Sequence, residues 1–153
     1  MKITRFGFEA VQDEIEKLLY EDRPNIIEAV RTAQAHGDLR ENAEYHTAKE
    51  EQRKIESRIQ YLEGIKKNAQ ITEISKSKTV VGFGSKIKIV NLGNQKEIIV
   101  QILSEYEASL EDDMSIISDS SPIGSAILEA KAGDVKQIHT PSGTLEYKVV
   151  EII

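Results

Sequence analysis

Two carboxylates stand three positions apart in a short polar segment of the chain, at Asp38 and Glu41. Residues three apart in a helical turn face the same side, so this pair could bind one hard cation such as Mg²⁺. The same spacing also fits a capping box, in which Asp38 is the N-cap of a helix and Glu41 reaches back to it. The spacing alone leaves both interpretations open.

A magnesium site needs more ligands than this pair provides, because Mg²⁺ prefers six oxygens in octahedral geometry. The neighbouring His36 and His46 could join the site, although histidines at surface helix ends are common. A partner that already holds one metal ion could supply the missing ligands. We therefore expect any metal chemistry at Asp38 and Glu41 to take place in a complex with another molecule.

Composition excludes several other classes of protein. The 153 residues include no cysteine, which removes disulfides, thiolate metal sites and cysteine nucleophiles. The net charge of −6 disfavours capture of free nucleic acid, so we expect no affinity for free DNA. No apolar stretch is long enough to cross a bilayer, and the first residues do not resemble a signal peptide. We expect a cytoplasmic protein with no membrane partner.

The first half of the chain shows the spacing of two amphipathic helices, at residues 9–35 and 45–71. Pro24 should bend or break the first helix locally, and Gly37 is typical of the left-handed residue that ends a helix. The apolar stripes comprise Val11, Ile15, Leu18, Leu19, Ile26, Ile27, Val30 and Ala33 in the first helix, and Ala48, Ile55, Ile59, Leu62 and Ala69 in the second. Two such stripes bury each other when the helices pair, which predicts an antiparallel coiled-coil hairpin.

The second half of the chain changes to the period of two residues that is typical of strands. The predicted elements are strands at 86–89, 98–102, 135–140 and 145–152 and a short helix at 122–128. The acidic residues between positions 105 and 113 indicate a solvated loop. We therefore predict an α+β protein, with the coiled-coil hairpin in residues 1–75 and a small α+β domain in residues 79–153.

Matches to one family's sequence signature are spread over nearly the whole chain. They include AHGDLRENAEYH at residues 35–46 and SPIGSAIL at residues 121–128, with shorter segments at 23–27, 48–50, 133–134, 140–143 and 146–147. These segments closely resemble the signature of the Gre family of bacterial transcript cleavage factors. The resemblance implies an N-terminal coiled-coil hairpin followed by a C-terminal FKBP-like domain.

The resemblance also implies a function in transcription elongation. The C-terminal domain would dock at the rim of the secondary channel of bacterial RNA polymerase, through Ser121, Pro122 and Ile123, while the hairpin enters the channel. Asp38 and Glu41 match the two acidic residues that hold a second Mg²⁺ together with the polymerase and activate a water. That water cleaves backtracked nascent RNA near its 3′ end, which rescues arrested complexes. The polymerase remains the catalyst, so the chain itself is not expected to be an enzyme.

Four basic residues of the first half are candidates for contact with the RNA: Arg31, Arg40, Lys49 and Arg53. Family members often have an arginine at the position of Gln34, so the resemblance implies a weaker basic patch in this chain. A weaker patch fits a factor that acts on short backtracks.

Two other functions stay open at this point. A channel-binding regulator could inhibit the polymerase without promoting cleavage, although the intact pair Asp38 and Glu41 favours cleavage. A prolyl isomerase would follow from the FKBP-like domain, but its aromatic-lined pocket is hard to build from Phe83, Tyr106 and Tyr147.

Overall fold

The computed structural model describes residues 1–37 and 41–153. The chain forms two compact units, one of Phe8–Ala69 and one that combines Met1–Gly7 with Gln70–Ile153. The sequence placed residues 1–7 and 70–75 with the hairpin, whereas in the structure they group with the C-terminal sheet. Every helix in the described part of the chain is too short or too polar to span a membrane.

The first arm of the hairpin is helical from Arg5 to Gln34, in three consecutive segments. Helix α1 spans Arg5–Lys17, a π-helical turn spans Leu18–Asp22, and helix α2 spans Arg23–Gln34. The helix was predicted to bend or break at Pro24; it does not break there, but changes type just before that residue. Pro24 itself lies in the first turn of α2, directly after the π-helical turn, and has no N–H to donate to a carbonyl of that turn. Gly37, after the arm, has a φ of +117°, as predicted for a residue that ends a helix.

The second arm is a single helix, α3, which spans Ala43–Asn68. Its predicted stripe is confirmed at Ala48, Ile55, Ile59 and Leu62, all buried, and Ile65 is buried as well. In the first arm the buried members of the stripe are Val11, Ile15, Leu18, Val30 and Ala33. Ile27, by contrast, is 41% exposed, so its assignment to the stripe was wrong.

Two bidentate ion pairs join the arms. Arg23 of α2 donates from Nε and Nη2 to Glu56 of α3, at 2.8 Å each. Arg58 of α3 donates in the same way to Glu14 of α1, at 3.0 and 2.9 Å. Paired donors facing a carboxylate prefer one relative position of the two side chains, so these pairs favour one register of α3 against the first arm.

The other unit contains a five-stranded sheet. Its strands are β3 (Lys86–Asn91), β4 (Lys96–Leu103), β5 (Ile116–Ser118), β6 (Val135–Thr140) and β7 (Gly143–Ile152). Their order across the sheet is β5-β4-β3-β7-β6. Neighbours are antiparallel except β4 and β5, which are parallel. The predicted strands at 86–89, 98–102, 135–140 and 145–152 are confirmed, whereas β5 was not predicted.

One apolar core fills this unit. Alternate residues of the strands point into it. In β3, Ile87 and Ile89 are fully buried, while Lys86, directly before Ile87, is exposed. The short helix α5 spans Pro122–Ile127, close to its predicted bounds, and contributes Ile127 to the core.

A two-stranded parallel sheet joins the start of the chain to the end of the hairpin. Strand β1 (Lys2–Ile3) pairs with strand β2 (Gln70–Ile71). Helix α3 therefore ends three residues before the predicted end at residue 71. Ala69 has an extended conformation, and the next two residues pair with β1. Bonds from Thr4 to Glu107 and from Ser75 to Phe83 join these two segments to the rest of the sheet unit.

The acidic segment at 105–113 is only partly a solvated loop, which corrects the sequence prediction. Glu105–Ser109 form a short helix, α4, with Ser104 as its N-cap. The Ser104 hydroxyl accepts from the Glu107 N–H, and the Glu107 side chain accepts from the Ser104 N–H, so the two residues form a capping box. Glu107 is only 3% exposed, whereas residues 111–113 are exposed.

Candidate functional site

The connection between α2 and α3 contains the acidic pair that the sequence singled out. Asp38 and Arg40 lie outside the described residues, so their predicted roles are neither supported nor contradicted by the geometry. Glu41 is described, is exposed, and lies in a turn directly before the N-cap of α3. Because Glu41 precedes α3, its position is not set by a turn of that helix.

The N-cap of α3 is Asn42, whereas the predicted capping box begins at Asp38, which lies outside the described residues. The Asn42 side-chain oxygen accepts from the backbone N–H of Tyr45 at 3.1 Å. Its side-chain nitrogen donates to the carbonyl of Ala33 in α2 at 2.7 Å. Asparagine is among the preferred N-cap residues, and its position directly before a helical run was the signal that could have identified it.

Other polar contacts surround the same connection. The backbone N–H of His36 also donates to the Ala33 carbonyl, at 3.2 Å. The His36 Nδ1 atom lies 3.6 Å from the Glu44 carboxylate, and the rings of Tyr45 and His46 meet edge to face at 5.5 Å. The pair of His36 and Glu44 thus links the two sides of the connection, as does the bond from Asn42 to Ala33, whereas the other contacts lie within one side.

The described residues of this connection do not complete a metal site on their own. Within residues 1–37 and 41–153, no three histidine, aspartate or glutamate side chains are close enough to hold an ion. Glu41 is an exposed hard oxygen ligand, which suits Mg²⁺ when other oxygens are supplied from outside. A metal site shared with a partner therefore stays a prediction, of which Glu41 is the described ligand.

Three of the four basic candidates are described, and each contacts a neighbour on its own helix. Arg31 donates to Glu28 at 3.0 Å, and the Lys49 ammonium donates to Gln52 at 3.0 Å. Arg53 donates twice to one oxygen of Glu50, and these hydrogen bonds hold the pKa of Glu50 below its usual range. Exposed pairs of this kind are weak and break easily, so the cations can exchange partners.

The predicted docking residues form the first turn of α5. The Ser121 hydroxyl accepts from the Gly124 N–H at 3.0 Å and donates to the Ser118 carbonyl at 2.7 Å. Ile123 packs against the core, whereas Pro122 is exposed. A Cβ atom at Gly124 would lie 1.9 Å from the Ser118 carbonyl oxygen, so this position admits only glycine. Two of the three predicted residues thus also hold the turn in place.

The aromatic residues considered for an isomerase pocket are part of the protein interior. Phe83, Tyr106 and Tyr147 are 6, 1 and 8% exposed. Side chains buried to this degree cannot line an open pocket for a substrate. The structure therefore gives no support to prolyl isomerase activity based on these rings.

A helical hairpin with a polar connection, together with a separate five-stranded unit, defines a two-part α+β protein. The family profile described as "Transcription elongation factor, N-terminal" matches residues 1–71, and "Transcription elongation factor, GreA/GreB, C-term" matches residues 76–153. The chain belongs to the GreA/GreB family of transcription elongation factors.

Individual relatives agree with this assignment. "Transcription elongation factor GreA" of Legionella pneumophila (strain Corby) is 42% identical over 152 residues, which cover 98% of this chain and 94% of the relative. The protein of the same name from Hamiltonella defensa subsp. Acyrthosiphon pisum (strain 5AT) is 39% identical, with 98% and 95% covered. A solved structure of GreA factor homolog 1 from Thermus thermophilus is 32% identical, covers 100% of this chain and 98% of its own, and has a TM-score of 0.45. The identity to the two GreA relatives shows that the chain is most like GreA within its family.

Proposed function

We propose that the hairpin enters the secondary channel of bacterial RNA polymerase and stimulates cleavage of backtracked nascent RNA. The observation that carries this proposal is the family match of both halves, combined with the acidic pair Asp38 and Glu41 between the two arms. Removal of the displaced RNA 3′ end would allow arrested complexes to resume synthesis. The chain would act in the cytoplasm, where the polymerase works, and would not be an enzyme by itself.

The chain's own contribution is to deliver and hold two carboxylates. Glu41 is exposed directly before α3, and Asp38 is the second predicted ligand three residues earlier. In the complex these side chains would complete the oxygen shell of a Mg²⁺ ion that the polymerase active centre also binds. When bound there, the ion supplies Lewis-acid activation of the attacking water.

The length of α3 is what makes delivery into a channel feasible. The helix has 26 residues, and at 1.5 Å per residue it is about 39 Å long. Glu41 precedes one end of this helix, so it can reach deep into a narrow opening while the other end stays outside. The two bidentate ion pairs between the arms would help the hairpin to keep its register during entry.

Contacts to the partner molecules are proposed for two further groups of residues. Arg31, Arg40, Lys49 and Arg53 would face the extruded RNA. Its phosphates could replace the carboxylate and amide partners that the structure shows for Arg31, Lys49 and Arg53. The first turn of α5, with exposed Pro122 between Ser121 and Ile123, would contact the polymerase rim.

The test uses a stalled elongation complex whose RNA carries a label at its 3′ end. We expect the full chain to release a short labelled RNA fragment in the presence of Mg²⁺ and to restore elongation. A chain that slows elongation without release of RNA would instead be a channel-binding inhibitor. Failure to bind the polymerase at all would contradict both functions.

A further inference from the structure

The side chain of Asn42 makes one hydrogen bond to each of the two helices that it lies between. Its oxygen accepts from the Tyr45 N–H in the first turn of α3, and its nitrogen donates to the Ala33 carbonyl in the last turn of α2. A helix start leaves backbone N–H groups unpaired and a helix end leaves carbonyls unpaired. One amide group therefore bonds to an atom at each helix end and joins the two arms at their connection. The Ala33 carbonyl also accepts from the His36 N–H, so the Asn42 amide is a further donor to it.

Only an amide of this length offers both functions at this position. Aspartate keeps the acceptor but places a second acceptor against the Ala33 carbonyl, and serine keeps an acceptor but is too short to reach across. The orientation of the amide is also determined by its partners. In a reversed amide, the side-chain nitrogen would face the Tyr45 N–H, donor against donor. The side-chain oxygen would face the Ala33 carbonyl, acceptor against acceptor.

The Asn42 cross-link closes the connection directly beside the predicted metal ligand. Residues 34–41 run between Ala33 and Asn42, and Glu41 is bonded to Asn42 through the backbone. Misplacement of a reacting group by about 1 Å can reduce a rate by about a hundredfold, so the position of this backbone matters for cleavage.

We propose that Asn42 is a positioning residue for transcript cleavage, because its amide holds the two helix ends together and so sets where Glu41 projects. This inference rests on the proposed function. It assigns no contact between Asn42 and the RNA or the metal ion. Asn42 acts through the backbone of the residue that precedes it.

The test compares Asn42→Asp and Asn42→Ser with the wild-type chain. Both variants keep an N-cap acceptor for α3, and Asn caps a helix about as well as Asp or Ser, so the helices should persist. Both lose the donor to Ala33, and only one adds a charge. We expect the maximal cleavage rate at saturating protein to fall about tenfold in both, with a higher Mg²⁺ concentration needed for half-maximal cleavage. The circular dichroism spectrum and the concentration for half-saturation of the polymerase should not change.

Asn25→Asp is the matched control, because it makes the same chemical change at an exposed position in the first turn of α2. It should cleave like the wild type. If the wild-type chain cleaves and both Asn42 variants cleave equally well, Asn42 has no positioning role while the proposed function stands. If the variants lose helical signal or polymerase affinity instead of cleavage rate, Asn42 is a structural residue only. If the wild-type chain itself releases no RNA, the proposed function fails and this inference fails with it.

A second measurement tests the cross-link without any cleavage assay. In the free full-length chain, the side-chain amide protons of Asn42 should exchange with solvent more slowly than those of Asn25. Equal exchange of the two would show that the Asn42 amide does not donate to the Ala33 carbonyl in solution and would overturn the inference.

Discussion

Glu107 accepts two hydrogen bonds from Thr4, which lies 103 residues earlier in the chain. One carboxylate oxygen accepts from the Thr4 backbone N–H at 3.2 Å and from the Thr4 hydroxyl. The other oxygen accepts from the N–H and the hydroxyl of Ser104, at 3.1 and 2.7 Å. Four donors surround a carboxylate that is 3% exposed, so the burial of its charge is compensated. The start of the chain is thereby fixed to helix α4.

Glu107→Gln should lower the free energy of unfolding by about 2 kcal/mol. Its amide nitrogen would replace one of the two accepting oxygens and would then lie against N–H and O–H groups that also donate. Urea unfolding of the full chain measures the loss. Glu105→Gln, at an exposed position of the same helix, should change stability by less than about 1 kcal/mol through the helix dipole alone. Equal losses in the two variants would show that the buried contacts contribute nothing.

Gly7→Ala should destabilise the protein although alanine favours helix by about 1 kcal/mol. A Cβ atom at Gly7 would lie 2.4 Å from Oε1 of Glu107, so the carboxylate would have to leave its four donors. Gly64→Ala is the matched control, because nothing lies within 4 Å of the added atom in α3. That variant should be more stable than wild type by about 0.5–1 kcal/mol. Thermal unfolding compares the two, and a stabilised Gly7→Ala would contradict the tight contact.

Leu62→Asp should unfold the hairpin, because Leu62 is fully buried and an unpaired buried charge costs several kcal/mol. We expect loss of helical circular dichroism together with loss of transcript cleavage. Gln60→Asp introduces the same side chain at an exposed position of α3 and should retain both. Retention of both properties by Leu62→Asp would mean that the stripe is not an interface.

Glu41→Gln should reduce transcript cleavage at least tenfold, equivalent to about 1.4 kcal/mol of activation barrier, because an amide is a poorer ligand for Mg²⁺. Excess Mg²⁺ should recover part of the activity. Stability should be unaffected, since the cap of α3 is Asn42. Glu63→Gln removes an exposed carboxylate elsewhere on α3, away from the connection, and should cleave normally. Normal cleavage by Glu41→Gln would remove Glu41 from the proposed metal site.

The contribution of Asp119 to stability should depend on pH. Partial burial raises the pKa of Asp119 above its ordinary value of 3.8, against the lowering effects of backbone N–H groups and of Lys2 and the N-terminal amine. The folded chain then binds this proton more tightly than the unfolded chain, so stability is lost as pH rises from the ordinary value through the raised one. The free energy of unfolding of wild type minus that of Asp119→Asn should fall over this window in urea titrations. A difference that rises with pH would contradict the burial effect.

The sequence was sufficient to predict elements whose residues repeat at one period. The helical stripe through Ile55, Ile59 and Leu62 and the alternation at Ile87 and Ile89 depend only on local spacing, and both were confirmed. What the sequence did not reveal depends on distant partners. Strand β2 forms because β1, at the start of the chain, pairs with it. Glu107 is buried because Thr4 and Ser104 donate to it, although a charged side chain in an acidic segment would otherwise favour solvent.

The sequence singled out the connection between the two arms by residue type and not by its geometry. Asp38 and Glu41 were identified from their spacing, which also suggested a capping box. Asn42 takes the role of the cap, and its second bond to Ala33 depends on how close the two helix ends are. Spacing along one chain segment contains no information about that approach. Sequence patterns therefore located the connection but did not show what holds it closed.

The π-helical turn at Leu18–Asp22 gives the first arm a tolerance to changes in chain length. Leu18 and Val30 are both buried, yet their separation of twelve residues exceeds three turns of 3.6 by about one residue. Within the turn, Arg23 donates to the carbonyl of Leu18, five residues back, so the turn absorbs one residue more than an α-helical turn. Deletion of one residue between 19 and 22 would convert the turn to α-helix and leave every later side chain of α2 facing as before. The same deletion elsewhere in the arm would rotate α2 by about 100° and turn its stripe away from the interior.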